Sequence, residues 1–523
     1  MRTLDVLVIG VYMAVLVGVG VRVSRRQTST NEYFLADRAI PGWAIGMSLL
    51  ATIITSVTFI AYPGAAYAGD WSLLVPGIMF VVVIAAIGFV VVPFFRHAVA
   101  MSAYEYFGKR FGPGVRMYSS FAFAMGHFSK MGFVFYLLAL SVGGITGWDL
   151  AHVIVILGLI TIFYTLIGGL EAVIWTDVLQ GFVLWTGVAV SIGLLLFSPR
   201  VHPGEVMHLI AVSHKTSLGS MSFNLRAQTF WTMAIYGLFF YLQKYTADQT
   251  VVQRYLAAKT DQAALRGIGM GAALCLPVWT AFMFIGSLLW AFYRLTGEHL
   301  PPTITKPDQV FPHFMVTQMP AGVAGLFLAA LFGAAMSMLA SDLNCLAVII
   351  VEDFYGHFAP RRTDRQRLRV GKLSVAVCGL LAIEVALRLS KTQGAALSLY
   401  YLATAIVAGG LAGLFLLAFL VRRAGRTAAL YAIAANLIFT AWATLTMNGG
   451  HTWNLGNWNY PWHEFTIGAA GNTLMFMVGC IASVVVPADR VAGPTLWDWL
   501  AMNRPSARDK ILGDRDESIA QSS

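Results

Sequence analysis

The sequence predicts an all-α, polytopic membrane protein with about thirteen transmembrane helices. Of its 523 residues, 58% are hydrophobic and only 11% are charged, and the mean hydropathy is +0.70. An average soluble protein is about 25% charged, and a soluble globule could not bury so much apolar surface. In addition, the apolar residues gather in runs of about 20, the length that crosses a bilayer as a helix.

Each apolar run is interpreted as one span. The first run is followed, not preceded, by Arg22, Arg25 and Arg26, so it reads as a spanning helix and not as a cleavable signal peptide. The predicted spans are residues 4–23, 43–67, 71–95, 117–145, 150–168, 174–198, 229–247, 266–293, 321–350, 372–390, 395–421, 428–446 and 465–487.

Basic residues concentrate in alternate loops, which fixes an orientation by the positive-inside rule. The basic set includes Arg116, Arg254 and a cluster at 361–372. With these loops in the cytoplasm, the N-terminus lies outside and the C-terminus inside a cell (plasma or inner) membrane. This asymmetry then explains the net charge of +10. The expected partner is the lipid bilayer, and no nucleic-acid partner is expected.

Four cysteines are scattered through apolar runs without a CxxC or Cys/His cluster. This spacing predicts neither a metal centre nor a disulfide framework. No nucleophile and base set, phosphate loop or metal motif is present, so an enzyme is not expected. No protein partner is implied, and the polar tail at 491–523 is expected to be cytoplasmic and disordered.

Two spans carry polar and helix-breaking clusters. Residues 51–71 hold four hydroxyl side chains before Pro63-Gly64, and residues 236–249 hold Gln243, Lys244 and Asp248. Freed backbone groups are tolerated at membrane depth only where protein or a water-filled cavity satisfies them. The two spans are five apart in the count, as an inverted five-plus-five repeat requires, and such paired interruptions point to a transporter binding site. The alternative for the first is a Thr/Ser stripe bonded to carbonyls of its own helix.

Five segments in order resemble the sodium:solute symporter family, and together the resemblance covers residues 1–490. They are "TNEYFLADRAIPGWAIGMSLLAT" (30–52), "SAYEYFGKRFG" (102–112), "GGLEAVIWTDVLQ" (168–180), "DQTVVQRYLAAKT" (248–260) and "AALFGAAMSMLASDLNCLAVIIVEDFY" (329–355). The resemblance implies a single transporter domain of the leucine-transporter type, with core repeats at about 43–198 and 229–421. It also implies alternating access with sodium as the coupling ion and no other cofactor.

One face of the helix in the last segment brings small and hydroxyl residues together. Ala330, Ala334, Ser337, Ser341 and Asn344 recur at helical steps of three and four, and small residues let another helix approach closely. The resemblance implies a sodium ion held by the carbonyls of Ala51, Ile54 and Ala334 and the hydroxyl of Ser337. The alternative is a packing face only.

Met338 departs from the family pattern, which has a second Ser or Thr directly after the ligating serine. A thioether is a soft, poor ligand for a hard cation. The sodium cage therefore lacks one oxygen, and a proton-coupled or uncoupled carrier on the same fold is the alternative function. A non-transporting solute sensor is a further one.

Two charges lie in apolar context. The resemblance implies that Asp177 completes a second sodium site with the same serines in some family members; a carboxylate at this depth costs about 2.5–3.5 kcal/mol, so it needs a cation or a proton. The alternative is an aspartate at a helix end. For Lys130 three roles stay open: pairing with Asp177, pairing with Glu171, or facing the solute.

The expected solute is small, polar and organic: a sugar, a sugar acid or another carboxylate. The resemblance puts the family's galactose-binding positions at Thr58, Gly77 and Cys275, so a galactose-like site is not reproduced. The residues predicted to bind the solute are Thr55, Thr58, Phe59, Gln243, Lys244 and Lys130.

Overall fold

A computed structural model describes residues 2–24, 27–302, 304–391, 409–450, 453–486 and 493–502. Within these ranges the protein is helical, with a single isolated β-bridge between Ile40 and Ala258. The first half contains α1 (Thr3–Ser24), α2 (Thr30–Leu35), α3 (Gly42–Ile53), α4 (Ser56–Ala68), α5 (Val75–Ala98), α6 (Tyr104–Phe111), α7 (Pro113–Thr146), α8 (Leu150–Leu196) and α9 (Pro203–Val212).

The second half contains α10 (Phe230–Thr246), α11 (Gln249–Leu256), α12 (Asp261–Thr296), α13 (Val310–Gln318) and α14 (Val323–Ile349), which continues through a π-helical turn at Ile350–Tyr355. The remaining helices are α15 (Asp364–Lys391), α16 (Leu411–Leu420), α17 (Arg426–Gly450), α18 (Phe465–Val485) and α19 (Leu496–Met502). The helix α19 replaces the disorder predicted at that point of the 491–523 tail, and residues 503–523 lie outside the described residues.

Among the described residues, eight helices are long and apolar enough to cross a membrane, or nine when the bent pair of α3 and α4 counts as one span. The predicted number of thirteen is therefore not confirmed. The predicted spans 150–168 and 174–198 form one 47-residue helix, α8. The helix α10 has only 17 residues, and the predicted span 395–421 lies partly outside the described residues.

The first predicted interruption is a break between α3 and α4. The chain is extended at Ile54 and Thr55, and the helix axes on either side differ by 58°. The Thr55 amide donates to the Thr58 hydroxyl at 3.4 Å, so it does not continue α3, whose last carbonyls are left open. Pro63 lies inside α4 and does not mark the break.

The second predicted interruption separates α10 from α11 at Ala247 and Asp248. Asp248 is extended, and its carboxylate accepts from the Thr250 amide at 2.9 Å, which starts α11 as an N-cap. Both breaks therefore begin a new helix with a capping side chain.

A third break, within α8, was not predicted. Gly169 has φ 57° and ψ −155°, a region open almost only to glycine. The Tyr33 hydroxyl donates to the carbonyls of Thr165 and Leu166 at 3.0 and 3.1 Å, which satisfies backbone that the break frees. A Cβ at Gly169 would lie 2.5 Å from the Tyr33 carbonyl oxygen.

Gly169→Ala is therefore expected to lower the free energy of unfolding by about 1–3 kcal/mol from backbone strain alone. The measurement is unfolding of the purified protein in detergent. Gly193→Ala on the same helix is the control, because a Cβ there meets nothing within 4 Å and alanine favours a helix. Equal stability of the two variants would contradict the expectation.

The core forms around α3 and α8, which pack against each other, and each of them also packs against α12 and α14. Close approach of α3 and α12 depends on glycine: a Cβ at Gly42 would lie 2.5 Å from the Ala263 carbonyl oxygen. From α1, the Asp5 carboxylate accepts from the amides of Gly322 and Gly325 at 2.7 and 2.9 Å and so caps α14. Almost every residue of α14 is buried, which places its polar face inside the protein.

Candidate functional site

A cavity of about 300 Å³ opens beside the α10–α11 break. Helices α7, α10, α16 and α18 surround it. Its lining residues are Ala122, Phe123, Gly126, His127, Lys130, Tyr236, Phe239, Phe240, Gln243, Lys244, Ala247, Asp248, Leu411, Gly468, Ala469 and Asn472. Apolar walls with a few convergent polar groups are typical of small-molecule sites.

Four charged groups meet at one side of this cavity, in two ion pairs. Lys244 Nζ lies 2.5 Å from Asp248 Oδ2, and Lys130 Nζ lies 3.0 Å from Asp342 Oδ2. His127 joins the pairs, with Nδ1 2.7 Å from Asp342 Oδ1 and Nε2 3.3 Å from Asp248 Oδ2. These five side chains are here called the charge cluster. Charges at this depth are costly and mark functional sites.

Three of the six residues predicted to bind the solute line the cavity: Lys130, Gln243 and Lys244. Lys130 pairs with Asp342, a partner that was not among the three roles left open, and it lines the cavity, as the solute-facing role requires.

The other three, Thr55, Thr58 and Phe59, are not among the lining residues. Thr58 bonds back to Thr55 at the start of α4. Phe59 is fully buried, and its ring lies 4.8 Å from that of Phe282. Sequence reasoning grouped them with the cavity because they lie at the first break. In the structure Thr58 and Phe59 are buried, and Thr55 is half-buried at the break itself.

The four residues of the predicted sodium site lie where α3 ends and α14 passes. Ala51, Ile54, Ala334 and Ser337 are all buried, and α14 packs against both α3 and α4. Because the chain is extended at Ile54 and Thr55, α3 does not continue to supply amides to its last carbonyls, and carbonyl oxygens are hard ligands. Met338 is also buried, so a bulky thioether occupies volume next to Ser337 on this helix.

Asp177 forms a fully buried ion pair with Arg254. The Arg254 Nη2 atom lies 3.0 Å from Asp177 Oδ2, and both side chains are 0% exposed. The hydroxyls of Ser48 and Ser337 also donate to this carboxylate. Asp177 lies inside α8, eight residues beyond the Gly169 break, so it is not a helix-end residue.

Each nitrogen of the Arg254 guanidinium donates a hydrogen bond. Nε donates to Ser48 Oγ at 2.7 Å, Nη1 to the Thr250 carbonyl at 2.6 Å, and Nη2 to Ser341 Oγ at 2.5 Å. The sequence-based assignment of Arg254 to a basic cytoplasmic loop is therefore wrong, since this residue is part of the core.

The polar face predicted on α14 is real, and its partners are now identified. Ser337 bonds to Asp177, Ser341 to Arg254, and the Asn344 Oδ1 atom accepts from Gln253 at 2.7 Å. The face therefore meets α8 and α11 through hydrogen bonds. Sequence reasoning missed Arg254 and Gln253 although both lie in the quoted segment 248–260.

The structure combines two helix breaks, a helix end that packs beside a small-residue helix, and a cavity with paired charges. These features are typical of one class of membrane protein, the secondary transporter. The family model described as the sodium:solute symporter family matches residues 33–435. The chain belongs to this family, and it is a transporter and not an enzyme.

Relatives support the same assignment. The chain is 31% identical to the sodium/sialic acid symporter NanT of Aliivibrio fischeri over 84% of its length and 87% of the relative. It is 30% identical to the sodium/sialic acid symporter SiaT of Proteus mirabilis over 92% and 95%. Human sodium-coupled monocarboxylate transporter 1 is 29% identical over 80% of this chain and 68% of the relative.

Solved structures agree on the fold. A substrate-bound, outward-open sodium-coupled sialic acid symporter superimposes with a TM-score of 0.85 at 30% identity, covering 94% of this chain and 99% of that one. Mhp1, a nucleobase-cation-symport-1 family transporter, superimposes with a TM-score of 0.52 at 18% identity over 90% and 95%, and supports the fold alone. These similarities confirm the predicted fold class. They also confirm the predicted function, secondary transport of a small polar solute with sodium as the coupling ion.

Proposed function

We propose that this protein carries a solute with a carboxylate, a sugar acid of the sialic acid kind, together with sodium. The observation that carries the proposal is the pair of lysines on the cavity wall. The side chains of Lys130 and Lys244 are 34% and 15% exposed, so each ammonium is reachable from the cavity while still paired.

A lysine ammonium has three donors, and the ion pairs leave donors available. The Lys130 head lies in a cavity with apolar walls, where a charge attracts its opposite more strongly than in bulk water. A carboxylate bound there accepts from Lys130 or Lys244, and Gln243 offers an amide to a hydroxyl of the same solute. The similarity to sialic acid and monocarboxylate transporters favours the same solute chemistry.

For sodium, the proposed ligands are the carbonyls of Ala51, Ile54 and Ala334 and the hydroxyl of Ser337. These are hard oxygens, suited to a hard cation. The site spans the α3–α4 break and α14, so a bound ion ties two elements whose relative movement would open and close the cavity. Asp177 stays a proposed contributor through its bond with Ser337.

The arrangement in the membrane is part of the proposal. Residues 1–490 form the transporter domain, the N-terminus faces outside, and the C-terminus faces the cytoplasm across a plasma or inner membrane. The distribution of basic residues supports this orientation even without Arg254, because the cluster at 361–372 remains.

Lys130→Gln is expected to weaken carboxylate affinity by about tenfold, since a partly exposed charge-assisted hydrogen bond contributes about 1–2 kcal/mol. The measurement is uptake of sialic acid, lactate and galactose into proteoliposomes with and without a sodium gradient. Lys259→Gln, on an exposed side chain outside the cavity, is the matched control. Uptake of galactose but of neither acid would contradict the proposed solute class, and uptake indifferent to the gradient would contradict the coupling.

A further inference from the structure

We infer that His127 is a proton-binding site of the transport cavity, and that a proton from bulk water binds its imidazole when a solute carboxylate binds there. The inference rests on the proposed carboxylate solute and adds a second coupled cation to it. It concerns the charge cluster, which is separate from the proposed sodium ligands.

The position of the imidazole is the first step. Its two nitrogens face two different carboxylates, Asp342 at 2.7 Å from Nδ1 and Asp248 at 3.3 Å from Nε2. The ring stacks on Phe123 with centroids 3.9 Å apart, which holds it in this orientation. Both nitrogens can donate only when the imidazole is protonated, so this geometry accommodates the imidazolium.

The neutral imidazole has an alternative partner in the same place. Lys130 Nζ lies 3.0 Å from His127 Nδ1, so an unprotonated Nδ1 accepts from the ammonium while Nε2 donates to Asp248. Proton binding reverses this bond, because Nδ1 then donates to Asp342. Lys130 then loses His127 Nδ1 as an acceptor, and the N–H that it donated there is free to bind a ligand in the cavity.

The charge balance of the cluster also favours protonation of His127 together with anion binding. Asp248 and Asp342 balance Lys130 and Lys244 when the imidazole is neutral, and an imidazolium leaves the cluster with one excess positive charge. An unbalanced charge is costly in a water-poor site. A bound solute carboxylate supplies the missing negative charge, so protonation and anion binding each favour the other.

Other titratable groups near the cluster do not change this balance. Tyr104 is buried near Asp248, and Cys345 is buried near both carboxylates; both side chains are ordinarily uncharged near neutral pH. Arg254 is matched by Asp177. Histidine is the side chain that ordinarily changes charge between pH 5 and 8, and His127 is the histidine of the charge cluster.

The consequence is pH-dependent affinity for an anionic solute. Where the free imidazole is neutral and the bound one is protonated, one proton is taken up per solute. The dissociation constant then rises by up to about tenfold for each pH unit. A neutral sugar needs no charge compensation and has no such dependence.

The test is calorimetric titration of the full-length protein in lipid nanodiscs with sialic acid at saturating sodium. Heats measured in two buffers of different ionisation enthalpy count the protons taken up, and binding is followed from pH 6 to pH 8. We expect uptake approaching one proton, and at least a tenfold weaker affinity at pH 8 than at pH 6. Lactate serves as a second carboxylate probe.

The variant His127→Gln is expected to bind sialic acid without proton uptake and with a flat pH profile. His208→Gln, on the exposed side of α9, is expected to match the parent protein. Binding without proton uptake in the parent, which needs no variant, overturns the inference and leaves the proposed function standing. Proton uptake unchanged in a folded His127→Gln also overturns it. Failure of both acids to bind at any pH overturns the proposed function and this inference with it.

Discussion

Arg254→Gln is expected to lower the free energy of unfolding by about 3–5 kcal/mol, the range for removing one partner of a buried ion pair. The variant leaves the Asp177 carboxylate without its counter-charge and leaves Ser48 and Ser341 without a donor. The measurement is denaturant unfolding of the purified protein in mixed micelles, and transport activity is expected to fall with it. Arg226→Gln, on an exposed loop, is the control for loss of one positive charge.

The double variant Arg254→Gln with Asp177→Asn separates charge from packing. Removing both charges leaves no uncompensated ion, so the double variant is expected to be more stable than Arg254→Gln alone. The coupling energy of this cycle then measures the pair. Additive effects of the two substitutions would mean that Arg254 acts through packing or its other hydrogen bonds and not through Asp177.

The ion pair between Arg254 and Asp177 also bears on how many sodium ions the protein binds. The predicted second sodium site at Asp177 has one carboxylate oxygen facing Arg254 and the other facing Ser337. The guanidinium supplies a positive charge where a second ion would compete. In the proton-coupled alternative, Asp177 would have to bind and release a proton while Arg254 and two serine hydroxyls stay within hydrogen-bond distance of its carboxylate. The charge cluster offers a histidine instead.

The sequence predicts the helical membrane fold because apolar run length is a local property. It also points to both interrupted spans, because hydroxyls and charges within such runs are visible locally. The first break lies at Ile54 and Thr55, within the hydroxyl-rich part of its span and before Pro63-Gly64. A threonine that bonds to the side chain three residues on starts α4, while the proline is accommodated inside the helix.

Pairs between distant segments could not be predicted. Arg254 was assigned to a loop because it follows the polar end of a span, and nothing nearby in sequence identifies Asp177 as its partner. His127 was overlooked, although the "HFSK" stretch places it three residues before Lys130 on one helix face. An intramembrane histidine beside an intramembrane lysine was the available signal, but its meaning depends on Asp248 and Asp342 in other helices.

The sodium site gives the second large expected effect, through two substitutions in neighbouring positions. Ser337→Ala removes the single side-chain oxygen of the proposed cage and is expected to raise the sodium concentration for half-maximal uptake by about five- to thirty-fold, corresponding to about 1–2 kcal/mol. Met338→Ser adds an oxygen where the family pattern has one and is expected to lower that concentration by a similar factor. Sodium titration of uptake at fixed pH measures both.

Stability and affinity are expected to move in opposite directions at Met338. Its side chain is buried in α14, so Met338→Ser leaves unfilled volume and costs about 2–5 kcal/mol of folding free energy, as for other truncations of buried large side chains. Met338→Leu is the control, since it keeps the volume and adds no oxygen; its sodium dependence is expected to match the parent. If Met338→Ser is folded and its uptake has the parent's sodium dependence, the ion does not sit between α3 and α14. A lower sodium concentration for half-maximal uptake in the less stable variant would identify the added hydroxyl as a ligand, because a loss of packing alone would weaken sodium binding.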